Sequence, residues 1–261
     1  MSRRRIGFWY RFAAFIVKPV LTTLFSRDWR GMENIPADGG FLTVVNHNSY
    51  LDPLSYAHFQ YNTGRVPRFL AKEALFKKGL VGTFMRNTGQ IPVYRESSDA
   101  AGAFRAAVEA VRRGECVAFY PEATLTRDPD LWPMQGKTGA ARVALLSRAP
   151  VIPVAQWGAH EVMPPYAKEK RVRIFPRKTL TVVAGPPVDF SDLYDLEPNA
   201  EVLLAATERI MDAITALLAE VRGETPPAER YVHRRRNGRS PGTGERNEGT
   251  AAAPAHEGDS E

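Results

Sequence analysis

From residue 41 onward, short apolar runs alternate with apolar positions at helical spacing. The run "FLTVV" (41–45) is β-branched and reads as a buried strand. "DPLSYAHFQ" (52–60) follows as a helix, with Asp52 as its N-cap and Pro53 at the first helical position. "PRFLA" (67–71) predicts a second strand, residues 72–89 a helical stretch, and "QIPVY" (90–94) a third strand. A helix over 97–114 has serine at its start, and arginines then Gly114 at its end. "CVAFYP" (116–121) is the fourth strand, 136–149 a helix and "VIPVAQW" (151–157) the fifth strand. "RVRIFP" (171–176) and "TLTVVAG" (179–185) are candidates for two more. A long closing helix, 199–223, carries Val202, Leu203, Ala206, Ile210, Ile214 and Leu218 on one face. Alternation of this kind predicts an α/β fold, a largely parallel central sheet flanked by helices. Residues 31–223 form that domain. From 224 to 261 the chain is rich in Gly, Pro, Arg and Glu and is expected to be a disordered tail.

The first thirty residues are different. They are apolar and aromatic, yet they hold seven basic side chains against Asp28 alone, which equals the whole net charge of +6. Residues 31–261 are charge-balanced, so the folded body lacks the basic surface that nucleic-acid binding requires, and no nucleic-acid partner is expected. No small-residue cleavage site follows the apolar part, which excludes a secretory signal. Arg11 and Lys18 interrupt it, and neither charge-free piece (12–17, 19–26) approaches the roughly 20 residues of a membrane span. Lys18-Pro19 is expected to break or kink a helix. Residues 1–30 therefore read as an N-terminal amphipathic arm lying in a membrane interface. Phe8, Trp9, Phe12, Phe15 and Ile16 would be inserted and the arginines would meet anionic head groups. The other reading is a helix packed on the protein's own core. The single cysteine, Cys116, excludes an internal disulfide and suits a cytosol-facing location.

In an open α/β sheet, loops at the carboxyl ends of strands build the functional site. Three marked stretches lie there: 46–53, 92–96 and 120–127. His47 and Asp52 are five residues apart, about 500° on a continuous helix, and would then diverge. They meet only if His47 lies on the strand-to-helix turn and Asp52 opens the helix. The carboxylate would then hold Nδ1 and leave Nε2 as a general base. An ordinary cap beside a turn histidine remains the alternative on spacing alone. Arg95 suits a phosphate, or a surface pair with Glu96. In "FYPEATLTRD" (119–128), Glu122, Thr124, Thr126 and Arg127 combine a carboxylate, hydroxyls and a guanidinium. Glu122 would accept from a substrate hydroxyl, hold a basic residue, or simply cap a turn. Lys137 in "QGKTG" and Lys72 are further phosphate candidates. The Gly-Lys-Thr run is not a P-loop, because Leu131 stands where the first glycine is required. No GxSxG nucleophile motif occurs within residues 1–223, so the base would act on a substrate hydroxyl.

Taken in order, these stretches resemble the glycerolipid acyltransferase family. Asn46, His47 and Asp52 match its Asn-His-x4-Asp motif, and Gly89, Ile91, Val93 and Arg95 its second motif. Tyr120 to Thr126 match its Phe-Pro-Glu-Gly-Thr-Arg-Ser motif, and "VIPV" (151–154) its apolar fourth. Ala123 stands in place of the third motif's glycine and Leu125 in place of its arginine. Two steps along an extended loop bring Arg127 to the same side. The resemblance implies direct acyl transfer with His47 as base and Asp52 orienting it. Arg95, Glu122, Thr124 and Arg127 would bind the acceptor, and Lys72 and Lys137 would contact phosphate. It implies no metal or bound cofactor, with acyl-CoA or acyl carrier protein as co-substrate. The expected acceptor is a lysophospholipid, most simply 1-acylglycerol 3-phosphate. The expected location is the cytoplasmic face of the cell membrane, peripheral or monotopic, among membrane lipids. Glycerol 3-phosphate or another lysolipid as acceptor, a hydrolase in which water replaces it, and a non-catalytic lipid-binding protein on the same fold are the competing expectations.

Overall fold

The computed structural model describes residues 6–77, 79–93, 100–167 and 172–232. Its centre is a seven-stranded sheet. The strands are β1 (Phe25–Arg30), β2 (Phe41–Val45), β3 (Pro67–Lys72), β4 (Ile91–Val93), β5 (Cys116–Phe119), β6 (Val151–Trp157) and β7 (Lys178–Ala184). Their order is β1-β7-β6-β2-β5-β3-β4. All neighbours run parallel except β6 and β7. The expected largely parallel α/β sheet is what forms. β2 lies near the middle with all five residues buried, as a strand covered on both faces must be.

Helices cover both faces. On one side α4 (Ala100–Arg112), α5 (Gly139–Ser147) and α7 (Ala200–Arg222) pack Val108, Val143, Ala206, Ile210 and Ile214 against Leu42, Val44 and Val117. On the other, α2 (Asp52–Asn62) places Tyr56 and Phe59 against Phe41, Val45 and Ile152. The period-two alternation of Leu42 and Val44 against Phe41 and Val45 divides these two cores. α7 begins at Asn199, whose side chain accepts from the Val202 amide, and ends at Gly223 in the left-handed conformation.

Several local expectations are corrected. Residues 25–30, assigned to the arm, form β1 at the sheet edge, paired parallel with β7. Their charged residues belong to an edge strand, where one side faces solvent. Before them, α1 (Phe8–Leu24) runs through Pro19 without breaking. Pro19 and Phe15, whose carbonyl loses its helical donor, lie on the exposed side, so solvent can satisfy that carbonyl. α1 docks through Leu21, with Val17 and Leu24, onto Phe25, Leu51 and Leu180. Phe8, Trp9, Phe12, Phe15, Ile16 and Val20 remain exposed. One face of α1 is thus packed on the protein's own core, and the other is exposed and aromatic. The stretch 72–89 is not one helix. Lys72 closes β3, a 3₁₀ turn covers Glu73–Leu75, and α3 spans Gly79–Asn87. Residues 172–176 form no strand. Residues 230 and 231, expected in the tail, contact the body: Arg230 pairs with Glu208 and Asp212 on α7, and the Tyr231 carbonyl accepts from the Gln135 amide at 3.0 Å. Residues 233–261 lie outside the described residues.

The reversal between β6 and β7 depends on Gly158, which follows β6 and precedes the short helix α6 (Ala159–Val162). Its φ is +91°, and a Cβ there would lie 2.0 Å from the Thr179 carbonyl oxygen. Gly64 has a similar φ of +82° with nothing within 4 Å. Gly158→Ala is therefore expected to cost about 3 kcal/mol or more, strain plus a backbone clash, and Gly64→Ala about 1–2 kcal/mol from strain alone. Urea unfolding midpoints of the two variants check this; equal losses would show that the close approach to Thr179 is of no consequence.

Candidate active site

β2 ends at Val45, and residues 46–51 turn back before α2 begins. Asp52 is the first residue of α2, and Leu51 occupies the cap position with no side-chain cap bond. The expected N-cap role of Asp52 is thus corrected. Its side chain reaches backwards rather than into the helix. Oδ2 accepts from the amides of Asn48 at 2.6 Å and Ser49 at 2.8 Å, and lies 3.0 Å from His47 Nδ1. Carboxylate oxygens only accept, so Nδ1 carries the proton and Nε2 is left with its lone pair. Nε2 has no hydrogen-bond partner among the described residues.

The turn is fastened at each neighbour. Asn46 donates to the Asn48 side chain at 2.9 Å and to the Gln156 carbonyl at 3.0 Å, while its oxygen accepts from the Gln156 amide at 2.7 Å. Ser49 Oγ lies 3.0 and 2.8 Å from the Ala159 and Met163 carbonyls, which share its one proton. β6 and the segment after α6 therefore hold the turn from one side.

β5 holds it from the other. Val44 pairs with Phe119, so the residues after β5 run level with His47. Tyr120 stacks on the His47 ring, centroids 4.2 Å apart and planes 23° apart. Burial pushes the Tyr120 phenol well above its ordinary range, so the wedge stays neutral. Glu122 is 3% exposed. Its Oε1 accepts from the His47 amide and its Oε2 from the Met134 amide, both at 3.0 Å. The Thr126 amide donates to the His47 carbonyl at 2.8 Å. Both oxygens of Glu122 are taken up by backbone, so it joins the two loops rather than meeting a substrate. That replaces its expected acceptor-binding role.

The remaining candidates separate. Thr124 is half-buried, its hydroxyl 3.2 Å from the Tyr166 hydroxyl. Arg127 is exposed, with its guanidinium 4.8 Å from the centre of the Tyr166 ring. Lys137 is exposed, and its amide donates to the Pro121 carbonyl at 2.8 Å. Lys72 is exposed at the carboxyl end of β3, with β5 between it and β2. Arg95 lies outside the described residues. Ala123 adopts a φ of 59°, so the left-handed turn is kept without the glycine. Leu125 is 4% exposed and turned into the core. Gly89, with a φ of +68°, makes room for Arg68, whose guanidinium donates to the Gly89 carbonyl at 2.8 Å. Sequence reasoning assigned no role to Asn46, Tyr120, Gln156 or Tyr166. Only Asn46 and Tyr120 lie within a motif, and their partners depend on strand order. Among the described residues no three His, Cys, Asp or Glu side chains cluster as a metal site.

A histidine held by a buried carboxylate, with Nε2 free at the carboxyl edge of a mostly parallel sheet, is an arrangement chemically able to act as a general base. The family model described as Acyltransferase matches residues 26–157, and the chain belongs to that family. It is 27% identical over 211 residues to a Bacillus subtilis protein named 1-acyl-sn-glycerol-3-phosphate acyltransferase, covering 80% of this chain and 96% of that one. A Brassica napus chloroplastic protein of the same activity name is 30% identical over 142 residues, 54% of this chain and 40% of its own length. The fold superposes on the crystal structure of the 1-acyl-sn-glycerophosphate acyltransferase PlsC from Thermotoga maritima with a TM-score of 0.62 at 24% identity, covering 84% of this chain and 81% of that one. The glycerolipid acyltransferase resemblance of the motifs is thereby borne out.

Burial pushes the Glu122 carboxyl up to about 8, against the pull of its two amide donors. A carboxyl raised on folding gives stability that is complete below its unfolded value and lost as pH rises towards the folded one. Glu122→Gln replaces one acceptor by an amide group facing an N–H, and is expected to destabilise by about 1–3 kcal/mol at low pH. The gap to wild type should narrow between about pH 5 and pH 8, because only wild type loses stability by ionising there. Denaturant midpoints at unit pH intervals measure it; a gap that stays constant from pH 5 to pH 8 would mean that Glu122 folds as the carboxylate.

Proposed function

We propose that this protein transfers a fatty acyl group from an acyl thioester, acyl-CoA or acyl carrier protein, to the free hydroxyl of 1-acylglycerol 3-phosphate. The product is phosphatidic acid. The observation that carries the reading is the pairing of His47 Nδ1 with Asp52, which leaves Nε2 free beside a loop fastened to both neighbouring strands. The likeness to the Bacillus subtilis protein, over nearly the full length of that protein, supports this acceptor.

His47 Nε2 takes the proton of the acceptor hydroxyl as its oxygen attacks the thioester carbonyl. The Asp52 carboxylate balances the charge on the ring. Collapse of the tetrahedral adduct breaks the C–S bond, and the imidazolium returns the proton to the departing thiolate. Tyr120 keeps the ring from tilting. No serine acyl-enzyme is needed, because the acceptor oxygen is the nucleophile.

The exposed aromatic face of α1 supports a membrane location. Its opposite face is docked on the body, so Phe8, Trp9, Phe12, Phe15 and Ile16 are presented together. No helix among the described residues is long and apolar enough to cross a membrane. On the strength of that exposed aromatic face, the reading is of a peripheral or monotopic enzyme. The burial of Leu125, where the motif has arginine, favours a second reading in which a different lysolipid or glycerol 3-phosphate is the acceptor.

His47→Ala is expected to abolish transfer, and Asp52→Asn to lower kcat by about 10²–10⁴. Mass spectrometry of products formed from acyl-CoA and a mixed lysolipid extract tests both the chemistry and the acceptor. Normal turnover by His47→Ala would sink the mechanism. Free fatty acid released at one rate with or without acceptor would point to hydrolysis instead.

A further inference from the structure

Loop 124–127 is stitched to the catalytic turn, and one residue from a distant part of the chain is stitched to that loop. The residue is Tyr166, in the segment that follows α6. Its φ of 54° is uncommon for a bulky side chain, and that strain persists only where surrounding contacts impose it. Its hydroxyl donates to the Leu125 carbonyl at 2.8 Å and lies 3.2 Å from Thr124 Oγ1. Its ring, 46% exposed for the residue as a whole, lies under the Arg127 guanidinium at 4.8 Å. Arg127 has no carboxylate partner among the described residues.

We propose that Tyr166 is a positioning residue, which holds the Arg127 guanidinium at the mouth of the site to bind the phosphate monoester of the acceptor. Stacking on an aromatic face fixes the plane of a guanidinium while leaving its edge of N–H donors free. That edge matches a phosphate in two-pronged fashion. Both ends of the device reach the catalytic turn through hydrogen bonds. Thr126 donates to the His47 carbonyl, and Ser49 Oγ bonds to the Met163 carbonyl three residues before Tyr166. Leu125 contributes only its carbonyl, and its side chain is buried where a charged one would point elsewhere. The cationic role thus moves two positions along the loop and acquires a stacking partner.

The inference rests on the proposed acyl transfer, and its test separates the two. Steady-state kinetics with 1-acylglycerol 3-phosphate in mixed micelles compares wild type with Arg127→Ala, Tyr166→Ala, Tyr166→Phe and the double Ala variant. Arg127→Ala and Tyr166→Ala are each expected to raise KM for the lysolipid about tenfold with kcat within about twofold. Tyr166→Phe keeps the ring and should raise KM only about threefold. The double variant should match Arg127→Ala, because Tyr166 acts through it. Glycerol 3-phosphate and inorganic phosphate, added as competitors, separate recognition of the glycerophosphate from recognition of any free phosphate. Unchanged KM, a loss confined to kcat, or multiplied losses in the double variant would overturn the proposal. If wild type transfers nothing to this lipid, the acyl-transfer reading fails. The Kd of the same lysolipid for the same variants then decides the inference. A tenfold weakening supports it, and equal affinities overturn it.

Discussion

A single carboxylate oxygen, Asp52 Oδ2, accepts from two backbone amides and faces the His47 ring nitrogen, within a residue that is 1% exposed. A buried carboxylate is costly unless donors surround it, and those amides would otherwise be unpaired inside the turn. Each requirement meets the other. The turn at 48–49 closes because the carboxylate is there, and the carboxylate can be buried because the turn closes. The imidazole is oriented as part of that unit, so the geometry of the His47–Asp52 pair is a property of the loop's own folding.

This unit sits where the sheet needs it. Parallel β2 and β5 bring 44 and 119 level, which lets Glu122 bridge from the His47 amide to Met134 and lets Tyr120 stack on the ring. On the other flank β6 supplies Gln156 to Asn46. The chain then reverses at Gly158 and enters β7 antiparallel. That reversal keeps the connecting segment, with Met163 and Tyr166, on the edge where the site lies. A parallel crossover would have carried the chain back to the opposite edge before re-entering the sheet.

Much of this was legible beforehand. The β-branched run 41–45 and the stripe on 199–223 show their periods directly, and both elements formed as expected. His47 and Asp52 were visible because Asp-Pro marks a helix start next to a strand end. Residues 25–30 were not visible as a strand, since an edge strand with one solvent-facing side carries charges that look like an arm. The role of Glu122 was misread for a different reason. A carboxylate on a loop looks available to substrate until the strand order buries it between two amides.

The sequence by itself determined the alternating elements, because these depend on spacing within a few residues, whereas the pairing of His47 with Asp52 stayed open on spacing and was implied only by the family resemblance. Tertiary structure alone decided that Glu122 is a clamp, that Tyr120 is the wedge behind the imidazole, and that Tyr166 meets Arg127. Those contacts join residues 39 to 75 positions apart, and no local period encodes which strand lies beside which. Asp52 shows the boundary between the two. Its proximity to His47 follows from chain direction, but its choice of backward amides over the helix that it begins was settled by the packing that closes the turn.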